Sequence, residues 1–448
     1  MKNQILSLIV IIFLISCTSR SNRAGESIGS ELNAIDTDNA SNESIENKGS
    51  EIISDSATNN IVESKRKGLY VIDLDKADNQ SKDIFLYSTF YKGSKAILLE
   101  TNKSCLIGRI DKIQVFDQKI FILDIDMAKS LYIFDMEGHF IRKIGNTGGG
   151  PGEYASPSDF TIDRENKIVY VLDSRMRRIN KYDISSGIFI HSIQLERNVR
   201  SKYIEYVGGN LYADAYFDTD NSSNYLLRII HEPSGKDVGQ FFNAVNYQKG
   251  YTNSSSFVIR FNAFYLRANG NAVFVQPYMD HILEIGRDSV FSLIDIKGKE
   301  LLTSADIKRA MEKGERYLFR ELFQYGKYFQ IRNFIENDKM IIFNFQKGIT
   351  FGITISLNKQ TNEVKIMQRF LDDILYGDKE RKPVDPVLLL LGCYDGNGVY
   401  YYTEQVRVPD FIALAKAGLL SPDLDKLEEI KKLEEDTNPI LFYYEFKE

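Results

Sequence analysis

The chain has 448 residues, 43% of them hydrophobic, which is enough for one large domain or for two or three smaller ones. A formal net charge of −6 argues against a nucleic-acid partner, because such partners need a concentrated basic surface. The aromatic residues are all Phe (28) and Tyr (26), with no Trp, and with abundant Ile and Val they favour strands over helices.

The N-terminus reads as an address followed by a tether. Lys2 supplies a positive end, and Ile5 to Ile15 is an apolar run too short to span a bilayer as a helix, which takes about 20 residues. The run ends Leu14-Ile15-Ser16-Cys17, so residues 1–16 read as a signal peptide. LISC resembles the bacterial lipobox, and that resemblance implies cleavage before Cys17 and lipidation of Cys17. Residues 17–68 hold no aromatic residue before Leu69 and are dominated by Ser, Asn, Glu, Asp and Gly. A segment of that composition cannot offset its ordering entropy by burial, so a disordered tether is expected. Its mean reach would be roughly 35–40 Å. The residues after Cys17, Thr18-Ser19-Arg20-Ser21-Asn22-Arg23, are not acidic, which points to the periplasmic face of an outer membrane. Of the remaining cysteines, Cys105 and Cys393 lie far apart in sequence; they could pair in an oxidising compartment or serve as two small buried hydrophobes.

Residues 69–448 read as the folded domain, organised around GNTGGGPGEY, Gly145 to Tyr154. Before it runs KIFILDIDMAKSLYIFDMEGHFIRKIG and after it KIVYVLDSRMRRINKYDISSGIFIHSI, two versions of one pattern. Asp124 answers to Asp173, Gly138 to Gly187 and Ile144 to Ile193, each 49 residues on. A fixed period of that size marks a repeat architecture. Each copy reads as strand, polar bend, strand, hairpin turn, strand, with Gly138 and Gly187 suited to the positive φ of a tight turn. Four-stranded units of about 40–50 residues arranged in a ring make a β-propeller.

The rhythm of turn signal followed by strand then recurs. Ile120–Leu123, Ile168–Leu172, Leu211–Ala213, Ala272–Gln276, Met340–Phe345 and Val399–Tyr402 are six equivalent starts, most introduced by a Gly- or Asn-containing turn. Three helical pieces interrupt the later copies: DIKRAMEKGERYLFRELF, capped by Thr303 or Ser304 and broken near Gly314; Pro409 to Ala417, stopped by Gly418; and SPDLDKLEEIKKLEED, with an apolar stripe of Leu424, Leu427, Ile430 and Leu433. The closing NPILFYYEF and the run Ala96–Glu100, which belongs to no repeat, are expected to complete one sheet and fasten the ring. The fold class is therefore all-β, a six-bladed β-propeller with helical insertions.

LLETNKSCLIGRIDKIQVFDQKIFILD, FDMEGHFIRKIGNTGGGPGEYASPSDFTID and YVLDSRMRRINKYDISSGIF resemble the six-bladed β-propeller lipoproteins of Bacteroidetes, relatives of NHL-repeat proteins. The likeness runs from about Leu69 to Glu448. It implies the fold and an envelope location and says little about function.

The chemistry is sparse. GNTGGGPGEY lacks the Lys-Ser or Lys-Thr of a phosphate loop and leads into a strand, so it reads as the connection between two blades. In a propeller the bends between second and third strands share one face with the blade-crossing loops. The bend Ser174-Arg175-Met176-Arg177-Arg178 should then lie near Glu153 and Tyr154, and the bend Pro277-Tyr278-Met279-Asp280-His281 should lie on the same side. Glu153, Tyr154, Arg175, Arg177, Arg178, Tyr278 and His281 are the candidate ligand-binding residues, the arginines for an anionic group. The four histidines show no ligand spacing, no nucleophile or zinc motif is present, and no catalytic residue, metal site or cofactor is assigned. The recurrence of Asp124 and Asp173 invites comparison with metal-dependent propeller hydrolases or lyases of the lactonase kind, but their place in the repeat suits a turn-forming role. The expected function is an envelope-anchored binding or scaffold module, attached to the membrane through lipid and taking a small-molecule, glycan or protein ligand. On this reading, Cys17→Ala yields a folded protein released from membranes, and membrane fractionation of the variant checks it; continued membrane association of a soluble, monodisperse variant would count against the anchor.

Overall fold

The structure, a computed structural model, describes residues 61–64, 68–196, 201–214, 225–232, 234–247, 262–314, 317, 320–348, 350–376 and 389–447. The expected signal peptide, Cys17 and nearly all of the expected tether lie outside the described residues. The ring described here falls within the unit Ser50–Glu448.

Six four-stranded antiparallel sheets follow one another around the ring. Blade 1 is β6 (Lys112–Phe116), β7 (Lys119–Asp124), β8 (Ser130–Asp135) and β9 (Phe140–Ile144). A two-stranded crossing, β10 (Asn146–Thr147) with β11 (Glu153–Tyr154), leads to blade 2: β12 (Pro157–Asp163), β13 (Ile168–Asp173), β14 (Arg178–Asp183) and β15 (Phe189–Gln194). Blade 3 is β16 (Ile204–Val207), β17 (Asn210–Asp214), β18 (Tyr225–His231) and β19 (Lys236–Asn243). Blade 4 is β20 (Phe264–Leu266), β21 (Ala272–Phe274), β22 (His281–Ile285) and β23 (Ser289–Lys297). Blade 5 is β24 (Tyr328–Glu336), β25 (Met340–Lys347), β26 (Thr350–Asn358) and β27 (Val364–Met367). Blade 6 has the C-terminal β29 (Leu389–Tyr394), β30 (Gly398–Thr403) and β31 (Ile440–Phe446), completed by the N-terminal β5 (Tyr91–Leu98). All six strand starts read from the sequence are second strands of their blades.

The core is divided among the seams between blades, and the second strands show why. Successive side chains of a strand point to opposite faces. On β7, Ile120 and Ile122 enter the seam with blade 6, while Phe121 and Leu123 enter the seam with blade 2. On β13, Val169 and Val171 face blade 1, while Ile168, Tyr170 and Leu172 face blade 3. Tyr212 of β17 faces blade 4 and its neighbours Leu211 and Ala213 face blade 2. A strand buried on both faces is apolar throughout, which explains the unbroken runs KIFIL and KIVYVL.

Asp124, Asp173 and Asp214 end the second strands of the first three blades and are fully or almost fully buried. Asp124 accepts the N–H groups of Gly108 (2.8 Å), Arg109 (3.0 Å) and Met127 (2.8 Å). Asp173 accepts those of Ala155 (2.6 Å) and Met176 (3.0 Å), and Asp214 those of Lys202 (2.7 Å) and Tyr203 (2.8 Å). The repeated carboxylate therefore ties the turn after the second strand, or the loop entering the first, to the blade. Gly138 and Gly187 have φ of 96° and 75°, as their hairpins require.

The chain before blade 1 differs from the sequence reading. β1 (Val62–Ser64) and β2 (Tyr70–Asp73) add in parallel to the outer edge of β23. β3 (Asp78–Asn79) adds in parallel to β27, and β4 (Ile84–Leu86) to β28 (Arg369–Leu371). Val62–Ser64, inside the stretch expected to be a tether, is thus a strand, and the described N-terminal segment runs along the outer edges of blades 4 and 5 before closing blade 6. Among the helices, Ser304–Lys313 is capped by Thr303, whose hydroxyl accepts the Asp306 N–H (3.1 Å) while Asp306 accepts the Thr303 N–H (2.9 Å). Val408–Lys416 forms as expected and ends near Gly418, φ 67°. SPDLDKLEEIKKLEED does not form one helix. Lys426 adopts a left-handed φ of 56°, and only Leu427–Ile430 is helical; Leu424 and Ile430 still reach the core from consecutive turns. Cys105 and Cys393 are free thiols.

β31 carries the closure, because it pairs with β30 on one side and β5 on the other. Phe442 is 0% exposed at its centre. Phe442→Ala should cost about 3–5 kcal/mol of unfolding free energy in denaturant titration, and deleting Asn438–Glu448 should abolish the cooperative transition. Asp173→Ala should cost about 1–3 kcal/mol by removing a buried carboxylate that holds the N–H groups of Ala155 and Met176.

Candidate functional site

The face named by the sequence reading is built around the blade 1–blade 2 crossing. Gly145 turns the chain out of β9 with φ 65°, and a Cβ there would meet the Tyr182 hydroxyl at 2.6 Å and the Tyr154 ring at 2.7 Å. Tyr154 is fully buried in the blade 1–2 seam; its hydroxyl donates to the Ile144 carbonyl (2.6 Å) and accepts the Leu131 N–H (3.3 Å). Burial pushes that phenol well above its ordinary range. The Glu153 carboxylate folds back on its own loop to accept the Gly150 N–H (2.8 Å). Arg178 donates to the carbonyls of Glu153 (2.6 Å) and Gly150 (3.1 Å), and Asn180 donates to Glu153 as well (2.8 Å). The blade 2 bend and the crossing loop therefore share one face, as the repeat register implied. Arg175 is exposed, and the carbonyl of Arg177 accepts the Leu195 N–H (2.9 Å). Tyr154, Glu153 and Arg178 thus hold the loop to the blade, while Arg175 faces solvent.

Tyr278 and His281 belong to blade 4, two blades further round. Tyr278 has φ 69°, is 2% exposed, and packs with Phe329, Leu302 and Ile307 beneath the helix Ser304–Lys313. His281 lies 2.7 Å from the Asp280 carboxylate and 3.7 Å from that of Asp295, with its ring edge-on to Tyr247. The structure does not bring these two together with the blade 2 arginines at one point.

A concave feature lies at the centre of the ring. A cavity of about 620 Å3, including the part open to solvent, is lined by Lys112–Val115 of blade 1, Arg164 of blade 2, Glu205 of blade 3, Asn262 and Phe264–Leu266 of blade 4, Asn333 and Phe334 of blade 5, and Leu391–Tyr394 of blade 6. Every blade contributes through its first strand or the residues flanking it. Those strands pack against one another around the axis: β29 against β6, β12 against β16, β20 against β24.

A charged network braces the wall on the side of blades 1 to 3. Lys112 donates to Asp159 (2.8 Å) and to the Phe160 carbonyl (2.8 Å), Asp159 also accepts the Ile204 N–H (2.8 Å), and Thr161 donates to Glu205. Burial pushes the Asp159 and Glu205 carboxyls above the usual carboxylate range, with Lys112 opposing that shift in both. Opposite, the Tyr265 hydroxyl accepts the Asn333 N–H (3.1 Å), and Asn333 donates to Asn344 (2.8 Å). Among the described residues no group of three His, Cys, Asp or Glu is arranged to hold a metal ion, and Asp124 and Asp173 are occupied with backbone N–H groups. The cavity wall is mixed: aromatic and aliphatic rings and chains, with amides, two carboxylates or their partners, and cations. Sequence reasoning located the second strand of each blade and missed these residues, which sit on or beside the first. The available signal was a charged residue within or at the end of a short β-rich run just upstream of each recognised strand, as in Lys112, Arg164 and Glu205.

A model of a family described as a domain of unknown function, DUF4934, matches residues 69–445. No curated protein matches the chain. Among solved structures, a protein of Bacteroides fragilis described as exported is similar at a TM-score of 0.66 and 17% identity, covering 84% of this chain and 100% of its own. A member of the DUF4221 family from Bacteroides vulgatus is similar at a TM-score of 0.46 and 10% identity, covering 80% of this chain and 97% of its own. At these identities the likeness concerns the fold, and the first of the two supports the six-bladed ring. With the family model spanning the whole ring, from the strand that covers blade 4 to the strand that closes blade 6, the chain belongs to the DUF4934 family.

Proposed function

We propose that the protein is a binding module of the bacterial envelope, lipid-anchored at Cys17 to the outer membrane with its ring on the periplasmic side, and that its central cavity takes a small-molecule ligand. The observation that carries this reading is the cavity itself. Its wall combines aromatic and aliphatic side chains with a few convergent polar groups from all six blades, which is how small-molecule sites select their ligands. The resemblance of the repeat to the six-bladed propeller lipoproteins of Bacteroidetes supports the envelope location, as does the fold shared with a Bacteroides protein described as exported. The exposed Arg175 and its neighbour Arg177 lie on the crossing-loop face, where a partner could meet the rim.

Native mass spectrometry of the full chain purified from bacterial envelopes tests the proposal. A small molecule should travel with the folded protein and be released on denaturation. Asn262→Trp, which fills the cavity from the blade 4 wall, should lose it while keeping the wild-type circular dichroism spectrum. Equal occupancy in the folded variant would put the ligand elsewhere.

A further inference from the structure

The arginines of this protein differ in how they are paired. Arg267 is gripped at both ends of its fork by Glu336, at 2.7 Å and 2.7 Å, and is also paired with Glu284. Arg228 lies 3.5 Å from Asp237. Two arginines near the ring centre, the exposed Arg164 and the half-buried Arg332, have no such partner among the described residues. Arg164, in the hairpin after β12, extends its guanidinium over the Phe116 ring, 5.1 Å from the centroid, and makes only long contacts of 3.4 and 3.5 Å to the Val115 carbonyl. It lines the cavity, with Glu205 near enough to interact but not within ion-pair distance. Arg332 sits where β24 bulges against β25, beside the cavity-lining Asn333 and Phe334. It interacts electrostatically with the Tyr265 and Tyr402 hydroxyls, and no carboxylate of the described residues pairs with it. Blades 2 and 5 stand three apart in a ring of six, so the two residues belong to opposite blades.

We infer that the central cavity is a site for an organic carboxylate with an apolar body, its carboxylate seated on the fork of Arg164 and in the field of Arg332. The inference rests on the binding reading above and names the ligand class. Charge supports it. Lys112 is paired with Asp159, whereas Arg164 lines the cavity with no carboxylate of the described residues within ion-pair distance. An anion seated there would supply the missing counter-charge, and the attraction is stronger in a partly enclosed site than in bulk water. The planar guanidinium matches a carboxylate through two parallel hydrogen bonds, and stacking on Phe116 holds the fork in place without using its N–H groups. Phe264, Phe334 and Leu391 offer the apolar wall for the rest of the molecule. Burial lowers the pKa of both guanidinium groups from the usual range, the expected response of cations that lack a counter-charge.

Sodium benzoate, benzamide and bromide are the probes, with the full chain throughout. Isothermal titration should give binding of benzoate and at least about tenfold weaker binding of neutral benzamide, the worth of a charge-assisted pair. Arg164→Gln should weaken benzoate by about tenfold or more and leave benzamide unchanged, with a smaller loss for Arg332→Gln. Should Arg164→Gln fail to fold, Arg164→Lys removes the fork while keeping the charge and should still weaken benzoate. Crystals soaked in bromide should show anomalous density at Arg164 that the variant lacks. Benzamide binding as well as benzoate would make the cavity a neutral site, overturning the carboxylate assignment while the binding reading stands. Bromide in the cavity without benzoate would leave an inorganic-anion site and overturn the apolar half. If neither bromide nor either ring compound enters, both the carboxylate site and the cavity as a binding site fall.

Discussion

The second strands of blades 1 to 4 are buried on both faces, and the remainder of the ring depends on that constraint. Such a strand cannot be satisfied by one neighbouring sheet. Ile120 and Phe121, adjacent in the chain, need apolar partners on opposite sides, and they find them in two different seams. Each blade therefore requires a blade before it and a blade after it. An open row would leave the outer faces of its first and last sheets in water, and closing into a ring removes both. Tyr400 and Val399 of blade 6 repeat the arrangement, one facing blade 1 and the other blade 5, so that the seam joining the end of the chain to its beginning resembles the other five.

Closure also determines what happens at the sheet edges. The last blade takes its outermost strand from the N-terminal side, with Leu441 opposite Ile97 and Phe442 opposite Ala96. On its way there the N-terminal segment adds short parallel strands to the outer edges of blades 4 and 5. These edges would otherwise present rows of unpaired N–H and C=O groups. Asn438 completes the fastening from the other end of the chain: its side chain donates to the carbonyls of Glu100 and Cys105 (2.8 Å each) and accepts the Ile107 N–H (2.8 Å). A fully buried Asn with its hydrogen bonds met in this way ties the C-terminal strand to the loop that enters blade 1.

The same geometry that closes the ring creates its cavity. First strands converge on the axis with one edge left unpaired toward it, so whatever side chains they carry there are assembled from six distant parts of the sequence. On one side Lys112, Asp159, Thr161 and Glu205 satisfy one another and bind the first three blades together. Arg164 and Arg332 are left with an aromatic ring, a distant carbonyl and tyrosine hydroxyls for company. A structural role would be served better by the kind of bidentate pairing that Arg267 enjoys with Glu336. That contrast within one molecule directs attention to the axis rather than to the rim turn of blade 2, where Arg178 already has its carbonyls.

The sequence by itself determined the repeat, the number of second strands and the closing strand. The signals for these are local: alternating or continuous apolar runs, a glycine where φ must be positive, and an Asp that bonds to N–H groups a few residues away, as Asp124 does with Met127. Even the shared face of Glu153 and Arg178 follows from register alone. Tertiary structure decided the rest. Short parallel strands at Val62–Ser64 and Asp78–Asn79 have no pattern of their own and form because an edge of another blade is waiting. The stripe from Leu424 to Leu433 is helical in spacing, yet packing against blade 6 is achieved through turns once Lys426 takes a left-handed conformation. The site was the least legible feature: Arg164 and Arg332 lie 168 residues apart, and no local pattern records that one has a ring and the other two hydroxyls where a carboxylate would normally be. Burial and pairing are properties of the assembled ring, so whether a charged residue is a solvated turn, a brace or a ligand group is settled only by what the other blades bring to it.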